Sequence, residues 1–200
     1  MRMTGAQFTA KRIALLGVIV LAVAAFGIWR AENFRLVPAP WESAFADLQL
    51  VDVNGRQRSL ADYRGQVVVM FFGFTNCPDA CPTEFFKLTQ VMKRLGPSGD
   101  RVQVLFITLD PERDTPGILK SYVSAFDPRF VALTGTTPQI YAVTRAFGVV
   151  HVKLPIGSSY TIDHSLDTYV IDAQQQRRFI GAPEVSVDDL VHDLQLLLQD

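Results

Sequence analysis

The chain has 200 residues, 48% of them hydrophobic and 20% charged, with a formal net charge of −1. This is too apolar for a disordered chain and short for two full domains, so one compact domain with an appendage is expected. Residues 1–30 hold Arg2, Lys11, Arg12 and Arg30 and no acid, which leaves 15 basic and 20 acidic side chains for the rest; that balance argues against a nucleic-acid partner, which needs a basic face.

From Ile13 to Trp29 the chain runs 17 residues without a charge, the lower edge of the about 17–25 that span a bilayer. Lys11 and Arg12 precede the run, so the positive-inside rule predicts an N-in, C-out orientation, with Trp29 as an interfacial aromatic. A cleaved signal peptide, with Ala22-Val23-Ala24 as the cleavage site, is the competing reading. The apolar residues Ala25 to Trp29 that follow favour an uncleaved anchor. The expected organisation is a short cytoplasmic segment over 1–12, a transmembrane helix over 13–29, a linker over 30–40 and a folded domain over 41–200. That domain is expected on the periplasmic side of a bacterial inner membrane, held by a single pass.

After Pro38 and Pro40, Phe45–Val53 alternates as a strand does, and Asn54-Gly55 supplies a turn. Gln66–Phe74 is a continuous apolar run, the pattern of a central strand buried on both faces. A helix is predicted from Pro78 to Leu95, stopped by Gly96 and Pro97. Val102–Leu109 reads as a second buried strand. Thr115-Pro116 opens a helix reaching Phe126, Phe130–Leu133 is a short strand, and Thr137-Pro138 opens a helix ending at Phe147-Gly148. Strands follow near Val149–Lys153 and Thr168–Ile171, with Arg177–Ile180 pairing back. Ser186 with Asp189 resembles a capping box for a last helix, Val187–Leu198. This order predicts an α/β sandwich around a mixed β-sheet.

The chemistry-bearing residues concentrate at the first strand–helix junction. Two cysteines exclude both a multi-disulfide scaffold and a four-cysteine metal site. Cys77 and Cys81, just after the buried strand and in the predicted first helical turn, share one helix face. Unpaired N–H groups there favour thiolate over thiol. The pair can close as a disulfide or chelate a soft metal; the bland alternative is two small buried residues.

The three histidines differ by context. His151 lies in an apolar strand and reads as a core or edge residue, and His192 falls on the solvated face of the last helix. His164 stands in a predicted loop, Tyr160-Thr161-Ile162-Asp163-His164-Ser165, just before a strand.

The segments GFTNCPDACPTEF (73–85), TLDPERDT (108–115), Gly135-Thr136, YTIDHS (160–165) and Tyr169-Val170-Ile171-Asp172 together resemble the Sco/SenC family, over about residues 45–198. The resemblance implies a thioredoxin-like fold and a membrane-anchored copper protein that assists cytochrome c oxidase assembly. It further implies that Cys77, Cys81 and His164 are copper ligands. Asn76 stands where the family often carries another residue. Two thiolates and an imidazole suit copper, sulfur selecting Cu(I) and nitrogen helping to accommodate Cu(II). Asp163 is then a candidate partner for the His164 ring N–H, against the simpler reading of an exposed carboxylate. Asp110, Arg113 and Asp114 are expected to brace the segment after the second strand by local ion pairing or to cap a helix start.

Two functions follow from different classes. The first is a metallochaperone that takes copper from an upstream donor and delivers it to the binuclear copper centre of oxidase subunit II. The second is a thiol–disulfide oxidoreductase in which Cys77 and Cys81 form the redox-active pair and reduce the cysteines of that subunit or of another exported protein. A three-residue spacer between the cysteines, and a histidine rather than a proline in the facing loop, argue against an ordinary thioredoxin-type enzyme.

Overall fold

The computed structural model describes residues 17–21, 34–38, 48–176 and 178–199. The chain divides into two units, Met1–Phe34 and Arg35–Asp200.

In the first unit, residues 17–21 are helical and the rest of the expected 13–29 span lies outside the described residues. Among the described residues no helix is long and apolar enough to cross a membrane. This corrects the expectations of a transmembrane helix, of membrane attachment through it, and of a single-pass, periplasm-facing placement in a bacterial inner membrane.

The second unit is built on a mixed sheet. Its strands are β1 (Val37–Pro38), β2 (Leu50–Asp52), β3 (Gln57–Arg58), β4 (Val67–Gly73), β5 (Val102–Thr108), β6 (Val131–Thr134), β9 (Thr168–Ile171) and β10 (Arg178–Gly181), in the spatial order β1-β10-β9-β4-β5-β6-β2-β3. Strand β4 pairs parallel with β5 and antiparallel with β9. Every residue of β4 is buried, as its uninterrupted apolar run predicts.

Among the described residues four helices cover the sheet: α1 (Ala80–Leu95), α2 (Pro116–Ser124), α3 (Thr137–Ala146) and α4 (Val187–Leu197). Helix α1 buries Cys81, Phe85, Leu88, Val91, Met92 and Leu95, a stripe of helical period. It ends at Gly96, whose φ of 55° suits a residue without a Cβ. Thr115, Thr136 and Ser186 cap α2, α3 and α4 with their side-chain oxygens.

Adjacent residues of β4 send their rings to opposite layers, as strand alternation requires. Phe71 meets Phe85 of α1 and Phe106 of β5, within an aromatic cluster that continues to Tyr122 and Phe126. Phe72 meets Phe147, just past α3, and Tyr169 of β9. The sheet is thus flanked by helices on both faces, the thioredoxin-like arrangement that was expected.

Several elements differ from expectation. Of Phe45–Val53, only Leu50–Asp52 is a strand, and residues 41–47 lie outside the described residues. Within the expected linker, Val37–Pro38 adds an edge strand against β10. The expected loop over 160–165 is largely a strand. Strands β7 (His151–Ile156) and β8 (Ser159–His164) form a separate antiparallel hairpin. Ile162 of β8 is buried against the main core, while Val152, Leu154 and Ile156 of β7 face outward and are exposed.

Candidate metal centre

Cys77 precedes α1 rather than lying in its first turn, because the helix begins at Ala80 and not at Pro78. Asp79, at the N-cap, makes no capping bond with its side chain. The sulfur of Cys77 takes over part of that work: the Cys81 backbone N–H donates to Sγ at 3.3 Å. The turn is closed by the Cys77 N–H on the Phe74 carbonyl at 3.2 Å.

Cys81 is fully buried and Cys77 half-buried, both as free cysteines. The contrast in exposure has an electrostatic counterpart. The Cys77 thiol is drawn down to about 4, mainly because Cys81 donates to it, with help from the His164 ring and against the effect of burial. Cys81 is pushed far up, by donating to Cys77 and by burial. At neutral pH the pair is therefore one thiolate and one thiol.

His164 comes from the end of β8, 83 residues further along the chain, and sets Nε2 3.9 Å from the Cys81 sulfur. Its Nδ1 lies 2.8 Å from the Ser165 carbonyl oxygen. A carbonyl only accepts, so Nδ1 carries a proton and Nε2 is the ring nitrogen turned toward the cysteines. The rings of Phe71 and Phe74 stand edge-on to the imidazole. The ligand atoms of Cys77, Cys81 and His164 all lie within 4.8 Å of one another. Two sulfurs and one imidazole nitrogen at these separations form a donor set compatible with copper.

The neighbouring candidates separate cleanly. Asp163 is exposed, and strand alternation turns it to the opposite side of the hairpin from His164, so the Ser165 carbonyl fills the part considered for it. His151 pairs across the hairpin with His164 and is half-buried, and burial holds its ring below the usual histidine range. His192 does not join the cluster; its Nδ1 lies 2.9 Å from Asp193. Asn76 is exposed.

Asp110 and Arg113 form the expected ion pair. Asp114, however, reaches well beyond its own segment. Its buried carboxylate accepts from the Thr75 hydroxyl at 2.5 Å, the Thr75 N–H at 3.1 Å and the Thr108 hydroxyl at 2.6 Å. Thr75, Thr108 and Tyr160 were not singled out in the sequence. Their only signal is membership of the segments 73–85, 108–115 and 160–165.

Comparison with known proteins agrees with this geometry. The chain is 46% identical over 129 residues to the mitochondrial SCO2 homolog of Bos taurus, covering 62% of this chain and 48% of that protein. It spans from about half to just under two thirds of the length of the curated relatives it matches. Among solved structures, Bradyrhizobium japonicum ScoI with copper bound superimposes with a TM-score of 0.69 at 32% identity, covering 80% of this chain and 99% of that one. Arabidopsis thaliana ScoI with copper bound gives a TM-score of 0.70 at 31% identity, covering 76% of this chain and 95% of that one. The SCO1/SenC family description matches residues 40–199. With four fifths of its length matched, this chain belongs to the SCO1/SenC family.

Proposed function

We propose that this protein is a copper carrier that binds one ion through Cys77, Cys81 and His164 and passes it to a copper-accepting protein. The observation that carries this reading is the convergence of two sulfurs and an imidazole Nε2 within 4.8 Å, with the other ring nitrogen already tied to a carbonyl. Soft sulfur ligands favour Cu(I), and the imidazole makes Cu(II) acceptable. A three-ligand site is open, so an acceptor's own ligand can enter before the last donor bond is lost. Related ScoI proteins have been solved with copper bound. From the family, the acceptor is a copper-binding subunit of cytochrome c oxidase.

The test is an anaerobic Cu(I) titration of the reduced full chain against a competing chelator. One tight equivalent is expected, weakened by His164→Ala and abolished by Cys77→Ala/Cys81→Ala. Binding that ignores all three residues would overturn the reading.

The unequal pair of sulfurs supports a second reading as a thiol–disulfide oxidoreductase. The half-buried Cys77 thiolate would attack a partner's disulfide and release one partner thiolate. Cys81, giving up its proton, would then displace the second, leaving the partner reduced and Cys77–Cys81 oxidised. A Cys81→Ser variant that accumulates a mixed disulfide through Cys77 supports this role; one that traps nothing leaves the carrier reading alone.

A further inference from the structure

The three candidate ligands sit on parts of the chain that share no strand pairing: the cysteines at the β4–α1 junction and His164 on the separate β7–β8 hairpin. One short segment at the end of β5, Thr108–Asp114, bonds to both. Toward the cysteines, Asp114 takes the Thr75 hydroxyl and N–H, two residues before Cys77. Toward the hairpin, Asp110 accepts the Tyr160 hydroxyl at 2.7 Å. Arg113 donates to the Tyr160 carbonyl at 2.9 Å and lies over the Tyr160 ring at 3.8 Å. Lys153 of the facing strand adds an ion pair to Glu112 at 2.8 Å.

The two grips are joined. The Asp114 N–H donates to the Asp110 carbonyl at 2.9 Å, and the Thr108 hydroxyl donates to Asp114 while accepting the Asp110 N–H at 2.9 Å. Asp110 and Asp114 are both buried, so these bonds are shielded from water and from salt. Tyr160 and His164 lie on the same face of β8. Tilting the hairpin at Tyr160 therefore carries the imidazole with it.

We propose that Thr108–Asp114 positions the cysteine pair and the histidine relative to one another, Asp114 acting through Thr75 and Asp110 with Arg113 acting through Tyr160. The segment then sets the affinity for the metal without touching it. The inference rests on the copper-binding reading above.

The experiment is Cu(I) competition on the reduced full chain, run as a double-mutant cycle with His164→Ala. Tyr160→Phe removes one hydroxyl and is expected to weaken binding about three- to tenfold, the range of a single hydrogen bond. In the His164→Ala background it should have no further effect, because the hairpin then carries no ligand. Asp114→Asn should weaken binding in both backgrounds, because it acts on the cysteines. Arg58→Gln breaks an ion pair with buried Asp52 at the far edge of the sheet; it controls for lost stability and should leave affinity unchanged. A Tyr160→Phe chain with wild-type affinity, or one weakened equally with and without His164, overturns the inference. Wild-type binding indifferent to both His164 and the cysteines overturns the copper reading itself, and this inference with it.

Discussion

The sulfur of Cys81 rests against the bare Cα of Gly73: a Cβ at Gly73 would stand 2.6 Å from Sγ and 3.0 Å from Phe106 Cε2. Cys81 and Phe106 are both completely buried, so neither has free space into which to retreat. Gly73→Ala is expected to cost about 1–3 kcal/mol, the usual penalty of overpacking. It should also push Cys81 off His164 and lower Cu(I) affinity. Urea denaturation of the reduced chain, with a parallel copper titration, checks both; wild-type values in each would mean that the start of α1 shifts without resistance.

The contrast between the two sulfurs has a chemical readout. A group is ionised above its pKa, so Cys77, drawn down to about 4, stays a thiolate through the neutral range. Its alkylation by iodoacetamide should hold a nearly constant rate from about pH 8 to about pH 5, where an ordinary thiol slows about tenfold per pH unit. Cys81 should remain unmodified throughout. Peptide mapping by mass spectrometry decides it, and a Cys77 rate that falls tenfold per unit below pH 8 would place the proton on Cys77.

Asp193 of α4 is buried and receives the backbone N–H groups of Arg35 and Leu36, each at 2.7 Å. It pins the entry of the chain beside edge strand β1. Asp193→Ala leaves both donors without a partner and should destabilise the domain by about 2–3 kcal/mol. Limited proteolysis should then cut near residue 35 well before any cut in β4. Equal protection of the two regions would assign Asp193 no such role.

Phe85 lies one turn beyond Cys81 on α1 and contacts the rings of Phe71, Phe106, Tyr122 and Phe126. Phe85→Ala should cost about 3–5 kcal/mol, and Phe85→Leu much less because most of the volume is kept. Thermal unfolding of the reduced chain measures the difference. Equal losses for the two variants would show that ring contacts, rather than filled volume, dominate there.

The main sheet was legible because its signals are local. The apolar run of β4, the Thr-Pro openings of α2 and α3 and the Gly96 stop of α1 each act within a few residues. The cysteine pair and His164 were recognisable through motif resemblance, and the structure brings them together. The β7–β8 hairpin was only half legible. The expected strand near Val149–Lys153 overlaps β7, but the expected loop over 160–165 is β8, and the alternating apolar residues Val152, Leu154 and Ile156 are exposed rather than buried. The long reach of Asp114 to Thr75 was equally hidden, since a bond between residues 39 positions apart leaves no periodic trace. The apolar stretch at 13–29 carried the strongest membrane pattern in the chain. A hydropathy pattern states which solvent a segment tolerates, and does not establish a spanning helix.

The separation of 83 residues between Cys81 and His164 gives a bound ion a second effect. An ion held by both closes a ring that takes in β5, β6, β7, β8 and, in whole or part, α1, α2 and α3. On the chain-entropy treatment of cross-links, a ring of that size restricts the unfolded chain by roughly 4–5 kcal/mol. Under the copper reading, loading the metal would therefore stabilise the folded domain against the unfolded chain, and the melting temperature should rise with the fraction of chains loaded.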